Sequence, residues 1–269
     1  MPAAFRIIHP APALAVVTLT AALAAIIDLQ AGKPLDGRVL LLVLAVAGSQ
    51  VATGALNDWA DRDRDAQARP EKPIPAGDIS SEGALGVAAL GVLIYLAAAA
   101  PLGAAVLALG LVGLASAEAY NLALSRTPLS FLPYLVSFGI LPAWIALGLG
   151  LPLARVLPAV ILVAPFAAAA HLANTLRDWE ADAAGGSRSL AQVLGRRRSQ
   201  ALAVGLSLGV GVVVAVILAL AGHLRPIPSL LGLGGLIAVA QGARSARRLW
   251  YGILVAAVCW TAAWALSTG

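Results

Sequence analysis

The 269-residue sequence predicts an all-α integral membrane protein of about nine transmembrane helices. Three observations carry that expectation. Hydrophobic residues make up 60% of the chain and charged residues only 12%, against roughly 25% charged in an ordinary soluble domain. Apolar runs of about 17 to 25 residues, each able to cross a hydrocarbon core, recur from end to end between short polar or Pro/Gly-containing breaks. Gly and Ala dominate these runs while aromatics are 5%, and small residues let helix backbones approach closely in lipid, so a tight bundle is expected.

The runs fall at 12–30, 38–58, 84–101, 103–123, 131–150, 155–177, 200–221, 227–242 and 249–267. The first follows Arg6 as a secretory leader would, but no cleavage site ends it and the next run begins within about ten residues, so it reads as a retained helix. The second leads into an acidic segment, 57–65. The fourth contains Glu118 beside Tyr120 and Asn121. A charge at membrane depth is costly, so Glu118 is a candidate for a functional role, or else pairs with an arginine or stays protonated. In the fifth run Trp144 either faces a cationic centre or packs in the core, whereas the other five tryptophans lie near helix ends or motif edges, as interfacial aromatics do. The sixth contains His171 and leads into a second acidic segment, 174–182. Cys259 is the sole cysteine, which excludes an intrachain disulfide.

Basic residues set the expected orientation. With the N-terminus in the cytoplasm, 14 of the 18 Lys and Arg residues fall on the cytoplasmic side, leaving Lys33, Arg38, Arg155 and Arg225 on the other. The net charge of +5 follows from this topology. The clusters at 196–198 and 244–248 suit anionic headgroups, and no nucleic acid is expected as a partner.

The two acidic segments match each other. Asn57, Asp61 and Asp65 align with Asn174, Asp178 and Asp182 at a spacing of 117 residues, so the pattern N-x-x-x-D-x-x-x-D occurs twice. In a helix, positions i, i+4 and i+8 drift by only about 40° per step and share a face. Each face would offer an amide oxygen and two carboxylates, a hard-oxygen set suited to Mg²⁺, which takes one or two carboxylates together with waters and substrate phosphates. Two such faces opposed would hold a diphosphate between metal ions. Solvated loop acids balanced by Arg62, Arg64 and Arg177 are the plainer reading, and the repetition of all three positions among only 13 acidic residues weighs against it. Arg69 and Lys72 follow the first segment and Arg188 the second, and Arg126 lies in the loop after the fourth run. These four are candidates to bind the diphosphate leaving group. His171 falls on the face set by Asn174, Asp178 and Asp182, where it would contact or deprotonate an acceptor hydroxyl, or serve as a structural histidine.

These residues resemble the UbiA superfamily of intramembrane prenyltransferases. The first segment, N-D-W-A-D-R-D-R-D followed by R-P-E-K-P-I-P-A-G-D-I-S, looks like the family's N-D-x-x-D-x-x-x-D motif and its R-P-x-x-P-x-x-x-G continuation. The second, R-D-W-E-A-D-A-A-G-G-S-R-S-L, looks like its D-x-x-x-D motif. The resemblance implies a single polytopic domain, 1–269, with nine helices around a central cavity capped by Asp-rich loops on the cytoplasmic side of the cell (inner) membrane. It implies an Mg²⁺-diphosphate site built from Asn57, Asp58, Asp61, Asp65, Asn174, Asp178 and Asp182, with Tyr120 matching a tyrosine near the end of the fourth helix. Asp61, Asp178, Tyr120, His171 and Glu118 are then the candidate catalytic residues. One departure is Thr175, where some members have a second Asp, leaving one acid fewer on that side.

The implied activity is Mg²⁺-dependent transfer of a prenyl group from an isoprenoid diphosphate to a hydrophobic, membrane-soluble acceptor through an allylic carbocation. Quinone precursors, other aromatics, tetrapyrroles and glycerophospholipid precursors all remain open as acceptors, with quinone biosynthesis among the expectations. The same site would serve a membrane terpene cyclase or a polyprenyl-phosphate phosphoribosyltransferase. A transporter is disfavoured because its acids belong near the bilayer midplane, not at helix ends.

Overall fold

The computed structural model describes residues 2–223 and 225–268. In chain order the α-helices are α1 (Ala3–Arg6), α2 (Pro10–Gln30), α3 (Gly37–Ala68), α4 (Ser81–Ala99), α5 (Ala104–Ala119), α6 (Leu132–Gly139), α7 (Leu141–Gly148), α8 (Leu157–Arg177), α9 (Trp179–Ala184), α10 (Leu190–Leu194), α11 (Arg196–Leu220), α12 (Pro226–Gly242) and α13 (Ala246–Thr268). No strand occurs among the described residues. Among the described residues seven helical segments are long and apolar enough to cross a membrane, and two shorter apolar stretches, Leu132–Gly148 and Pro226–Gly242, match the fifth and eighth expected spans. The protein is an all-helical integral membrane protein. Large apolar side chains such as Leu93, Leu220, Ile227 and Val258 are left exposed, as a lipid-facing surface requires.

Two corrections concern helix continuity. The fifth run, 131–150, is not one helix but α6 and α7, separated at Ile140. Pro142 lies at the start of α7, where its ring would collide with the carbonyl four residues earlier and supplies no N–H, so α6 cannot run through it. The second run was expected to end near residue 58, yet α3 continues to Ala68. Its 32 residues span about 48 Å, well beyond a hydrocarbon core of about 30 Å. The acidic segment therefore rides on a helix end that projects past the apolar layer.

The chain forms two compact units, 1–123 with 140–157, and 124–139 with 158–269. In the first, α3 packs chiefly on α4 and α2. The α3–α4 approach depends on glycine: a Cβ on Gly48 would lie 2.6 Å from the Tyr95 backbone nitrogen and 2.8 Å from the Gly91 carbonyl oxygen, closer than packed atoms tolerate. Leu42, Ala45, Ala52, Tyr95, Ala99 and Ile145 fill this core. Trp144 belongs to it as well, 3% exposed with its indole N–H donating to the Val106 carbonyl at 2.9 Å, so it packs in the core. In the second unit α11, α12 and α13 pack together around Val210, Val239, Ile253 and Trp260, and the Trp260 indole donates to the Gly232 carbonyl at 3.1 Å.

Candidate active site

In the first unit the candidate residues sit on the projecting end of α3 and on the turn that follows it. Asn57, Asp61 and Asp65 lie at i, i+4 and i+8 of one unbroken helix, the shared face expected of them. Pro70 ends α3, since the residue before a proline is pushed out of the helical region, and Arg69 takes φ −146°, ψ 62°. The chain then turns back through Gly77, whose φ of +76° is open only to glycine at low cost, to the Ser80 cap of α4, where the hydroxyl accepts from the Gly83 N–H at 3.0 Å.

This turn carries Lys72 onto the acidic face. Its Nζ donates to Asp58 Oδ1 at 2.8 Å and to Asp65 Oδ2 at 2.6 Å, so one ammonium joins carboxylates two helical turns apart. Asp58 is only 3% exposed and is also met by His9 Nε2 at 2.8 Å. His9 holds a left-handed φ of +52°, an uncommon conformation for a residue with a side chain. Arg6 beside it donates to Asp78 at 2.8 Å and to the Glu71 carbonyl. Arg6, His9, Asp58, Glu71 and Lys72 line an open cleft of about 290 Å³. Asp61 pairs with Arg64, and Arg69 is exposed.

One turn deeper, a polar network continues the stripe. Thr53, four residues before Asn57, donates from Oγ1 to Glu118 Oε1 at 2.9 Å. Asn121 Nδ2 donates to Glu118 Oε2 at 3.1 Å and to the Thr53 carbonyl at 3.0 Å. Asn57 Nδ2 donates to Asn121 Oδ1 at 3.2 Å. Glu118 is thus satisfied by a hydroxyl and an amide. Asn121 and Tyr120 occupy a π-helical turn, Tyr120–Leu124, a widened geometry frequent at functional sites.

In the second unit the helical run is interrupted. α8 stops at Arg177 and α9 begins at Trp179, leaving Asp178 as a turn residue, whereas one continuous helix had been expected. The backbone bonds of the stripe persist nonetheless, Asp178 N to Asn174 O at 3.2 Å and Asp182 N to Asp178 O at 3.0 Å, so the register of the three positions is kept. Arg177 donates to both Asp178 oxygens, at 3.1 and 3.0 Å, and stacks over Trp250. Arg126 donates to the Gly185 carbonyl while its own carbonyl accepts from the Arg188 N–H at 2.9 Å; Arg126 thereby braces the turn after the motif, and the Arg188 side chain is exposed. Off the stripe, Glu180 pairs with Arg196, whose guanidinium holds its carboxyl below the usual range. His171 is fully buried, 3.0 Å from Ser130 Oγ and packed against Tyr134 with ring centroids 4.5 Å apart. Ser130 Oγ also accepts from the Leu190 N–H at 3.3 Å.

Among the described residues no three His, Cys, Asp or Glu side chains converge into a closed metal cage. The donor set still fits a hard divalent ion, because Mg²⁺ prefers one or two carboxylates completed by water and phosphate. Asp58 and Asp65 already share one positive charge, the Lys72 ammonium. The motif spacing pointed to Asn57, Asp61 and Asp65, and Lys72 follows from their continuation. Thr53 and Asn121 were missed as partners of the site, although Thr53 extends the four-residue spacing backward and Asn121 is one helical turn from Glu118. Arg6 and His9 had no periodic signal at all.

Comparison with known proteins identifies the family. The UbiA prenyltransferase family model matches residues 13–251. A digeranylgeranylglyceryl phosphate synthase from Natronomonas pharaonis is 34% identical over 204 residues, covering 72% of this chain and 68% of the relative. A solved structure described as a digeranylgeranylglyceryl phosphate synthase in membranes superposes with a TM-score of 0.79 at 14% identity, covering 99% of this chain and 97% of the other. A UbiA homologue from Archaeoglobus fulgidus, solved with GPP and Mg²⁺, gives 0.68 at 16% identity, with 99% and 100% covered. The family match spans nearly the whole chain and both acidic segments, and the protein belongs to the UbiA prenyltransferase family.

Proposed function

We propose that this prenyltransferase moves a geranylgeranyl-type group from its diphosphate to a free hydroxyl of a prenylated glyceryl phosphate, forming an ether lipid. The observation that carries the acceptor class is the likeness to the Natronomonas synthase, whose product name contains a glyceryl phosphate bearing two geranylgeranyl groups. Quinone biosynthesis finds no support among these relatives and is not proposed.

Asn57, Asp61 and Asp65 of the first unit would hold Mg²⁺ with the diphosphate, Asn174, Asp178 and Asp182 of the second unit offer a matching donor set for Mg²⁺, and the chain would act as one polytopic domain. The ion supplies charge neutralisation as the allylic C–O bond breaks. Asp58, bound to His9 and Lys72, anchors the turn that brings Lys72 and Arg69 within reach of the leaving diphosphate. Arg126 and Arg188 serve the same end in the second unit. In the transfer, a C–O bond to diphosphate breaks, a C–O bond to the acceptor oxygen forms, and the hydroxyl proton is released. A dry apolar setting keeps water from capturing the cation. The site is proposed to face the cytoplasm, as 14 of 18 basic residues lie on that side of the expected topology.

The test is to incubate purified protein with radiolabelled geranylgeranyl diphosphate, Mg²⁺ and either geranylgeranylglyceryl phosphate or an aromatic panel. Label should enter the glyceryl phosphate lipid, and Asp61→Ala, Asp178→Ala or EDTA should abolish it. Prenylation of an aromatic alone would replace the proposed acceptor, and an acceptor-free hydrocarbon would make the protein a cyclase.

A further inference from the structure

We infer that Asn121 and Glu118 are positioning residues that fix the Asn57 side-chain amide with its carbonyl oxygen turned toward the cation. The inference rests on the proposed metal role of Asn57 and adds to it a reason for the polar network below the acidic stripe.

An amide side chain can present either end, and the choice is set by its neighbours. Both hydrogens of the Asn121 NH₂ are taken, one by the Thr53 carbonyl and one by the Glu118 carboxylate, at 3.0 and 3.1 Å. The Thr53 partner is a backbone carbonyl and can only accept, so it fixes which end of the Asn121 amide faces it. A flipped Asn121 would set its own oxygen against the Thr53 carbonyl oxygen. Its Oδ1 is therefore directed at Asn57, and only the NH₂ end of Asn57 can answer it, as it does at 3.2 Å. Asn57 Oδ1 is then left as the end available to a hard cation on the face it shares with Asp61 and Asp65.

Thr53 contributes its hydroxyl to Glu118 and its carbonyl to Asn121, closing a ring of contacts between α3 and the end of α5. The π-helical turn contains Asn121, and its extra residue per turn changes the direction in which that side chain projects. This also accounts for an acid within a membrane-crossing helix: Glu118 supplies the acceptor that terminates the chain of oriented donors. Groups of this kind, which touch a ligand and not the metal, change metal affinity by about 10- to 100-fold when removed.

The experiment is Mn²⁺ binding to the full-length protein in detergent, followed by EPR of the free ion, with Asn121→Leu and Glu118→Gln. Asn121→Leu is expected to weaken Mn²⁺ binding by about tenfold or more, and Glu118→Gln by less, since the Thr53 carbonyl still orients Asn121. Turnover lost at low metal should return at saturating metal in both. In an Asn57→Asp background, where a carboxylate has no end to flip, Asn121→Leu should weaken binding no further. This cycle uses binding alone and holds even where a variant is less stable, provided its circular dichroism is native. Equal Mn²⁺ affinity in wild type and both variants would overturn the inference while leaving the site reading intact. A loss of kcat in Glu118→Gln that excess metal does not restore, with affinity unchanged, would overturn it in favour of a base at Glu118. Failure of the wild type to bind Mn²⁺ would overturn the site reading along with it.

Discussion

Replacing Lys72 with Met removes the ammonium shared by Asp58 and Asp65 while keeping much of the side-chain volume. Asp58 and the Lys72 side chain are 3% and 15% exposed, and Asp65 is 11% exposed, so the two carboxylates lose a cation in a setting with little water. Breaking a fully buried pair costs about 3–5 kcal/mol. His9 still meets Asp58 and Asp65 retains some solvent, so the expected loss lies below that range, at about 2–3 kcal/mol. For a chain of this size that corresponds to a fall of roughly 5–10 °C in melting temperature, measured in EDTA by intrinsic fluorescence of the detergent-solubilised protein. Mg²⁺ should raise the melting temperature of Lys72→Met more than that of wild type, because in wild type the ion must compete with the ammonium for Asp65. An unchanged melting temperature in EDTA, or equal stabilisation of both proteins by Mg²⁺, would refute the reasoning.

Three further outcomes follow from the packing. His171→Ala should cost about 2–4 kcal/mol by opening a cavity beside Tyr134 and removing one of the two partners of Ser130 Oγ, while kcat of the folded protein stays close to wild type; a large loss of kcat at unchanged stability would instead mean that His171 touches the reacting groups. Gly54→Ala places a Cβ 2.7 Å from the Ile8 carbonyl carbon, so it should destabilise by about 1–3 kcal/mol and push the N-terminal segment off α3, seen as loss of the His9–Asp58 interaction in the His9 imidazole NMR signals. Glu180→Gln removes only a solvent-exposed pair with Arg196 and should leave both melting temperature and turnover unchanged, in contrast to Asp178→Ala two residues away.

Much of this protein was legible without coordinates. Lipid demands helices whose backbone groups are internally satisfied, so the positions of apolar runs in a chain this poor in charge already dictate an all-helical membrane protein. The spacing of Asn57, Asp61 and Asp65 likewise settles their common face, because helical periodicity is local and α3 is unbroken there. The second triad shows the limit: the same spacing did not reveal the interruption at Asp178, and only the retained bonds at 174–178 and 178–182 preserve its register.

What required the tertiary structure were contacts between residues far apart in sequence. His9 and Asp58 are 49 positions apart, and Thr53 and Asn121 are 68 apart; no local pattern encodes which of the several polar residues on a helix will meet. Composition placed Glu118 within a membrane-crossing helix as an expensive charge. Its partners, a hydroxyl and an amide and not an arginine, were decided by which residues of α3 pack against the end of α5, which is a property of packed surfaces in three dimensions and not of the order of residues along the chain.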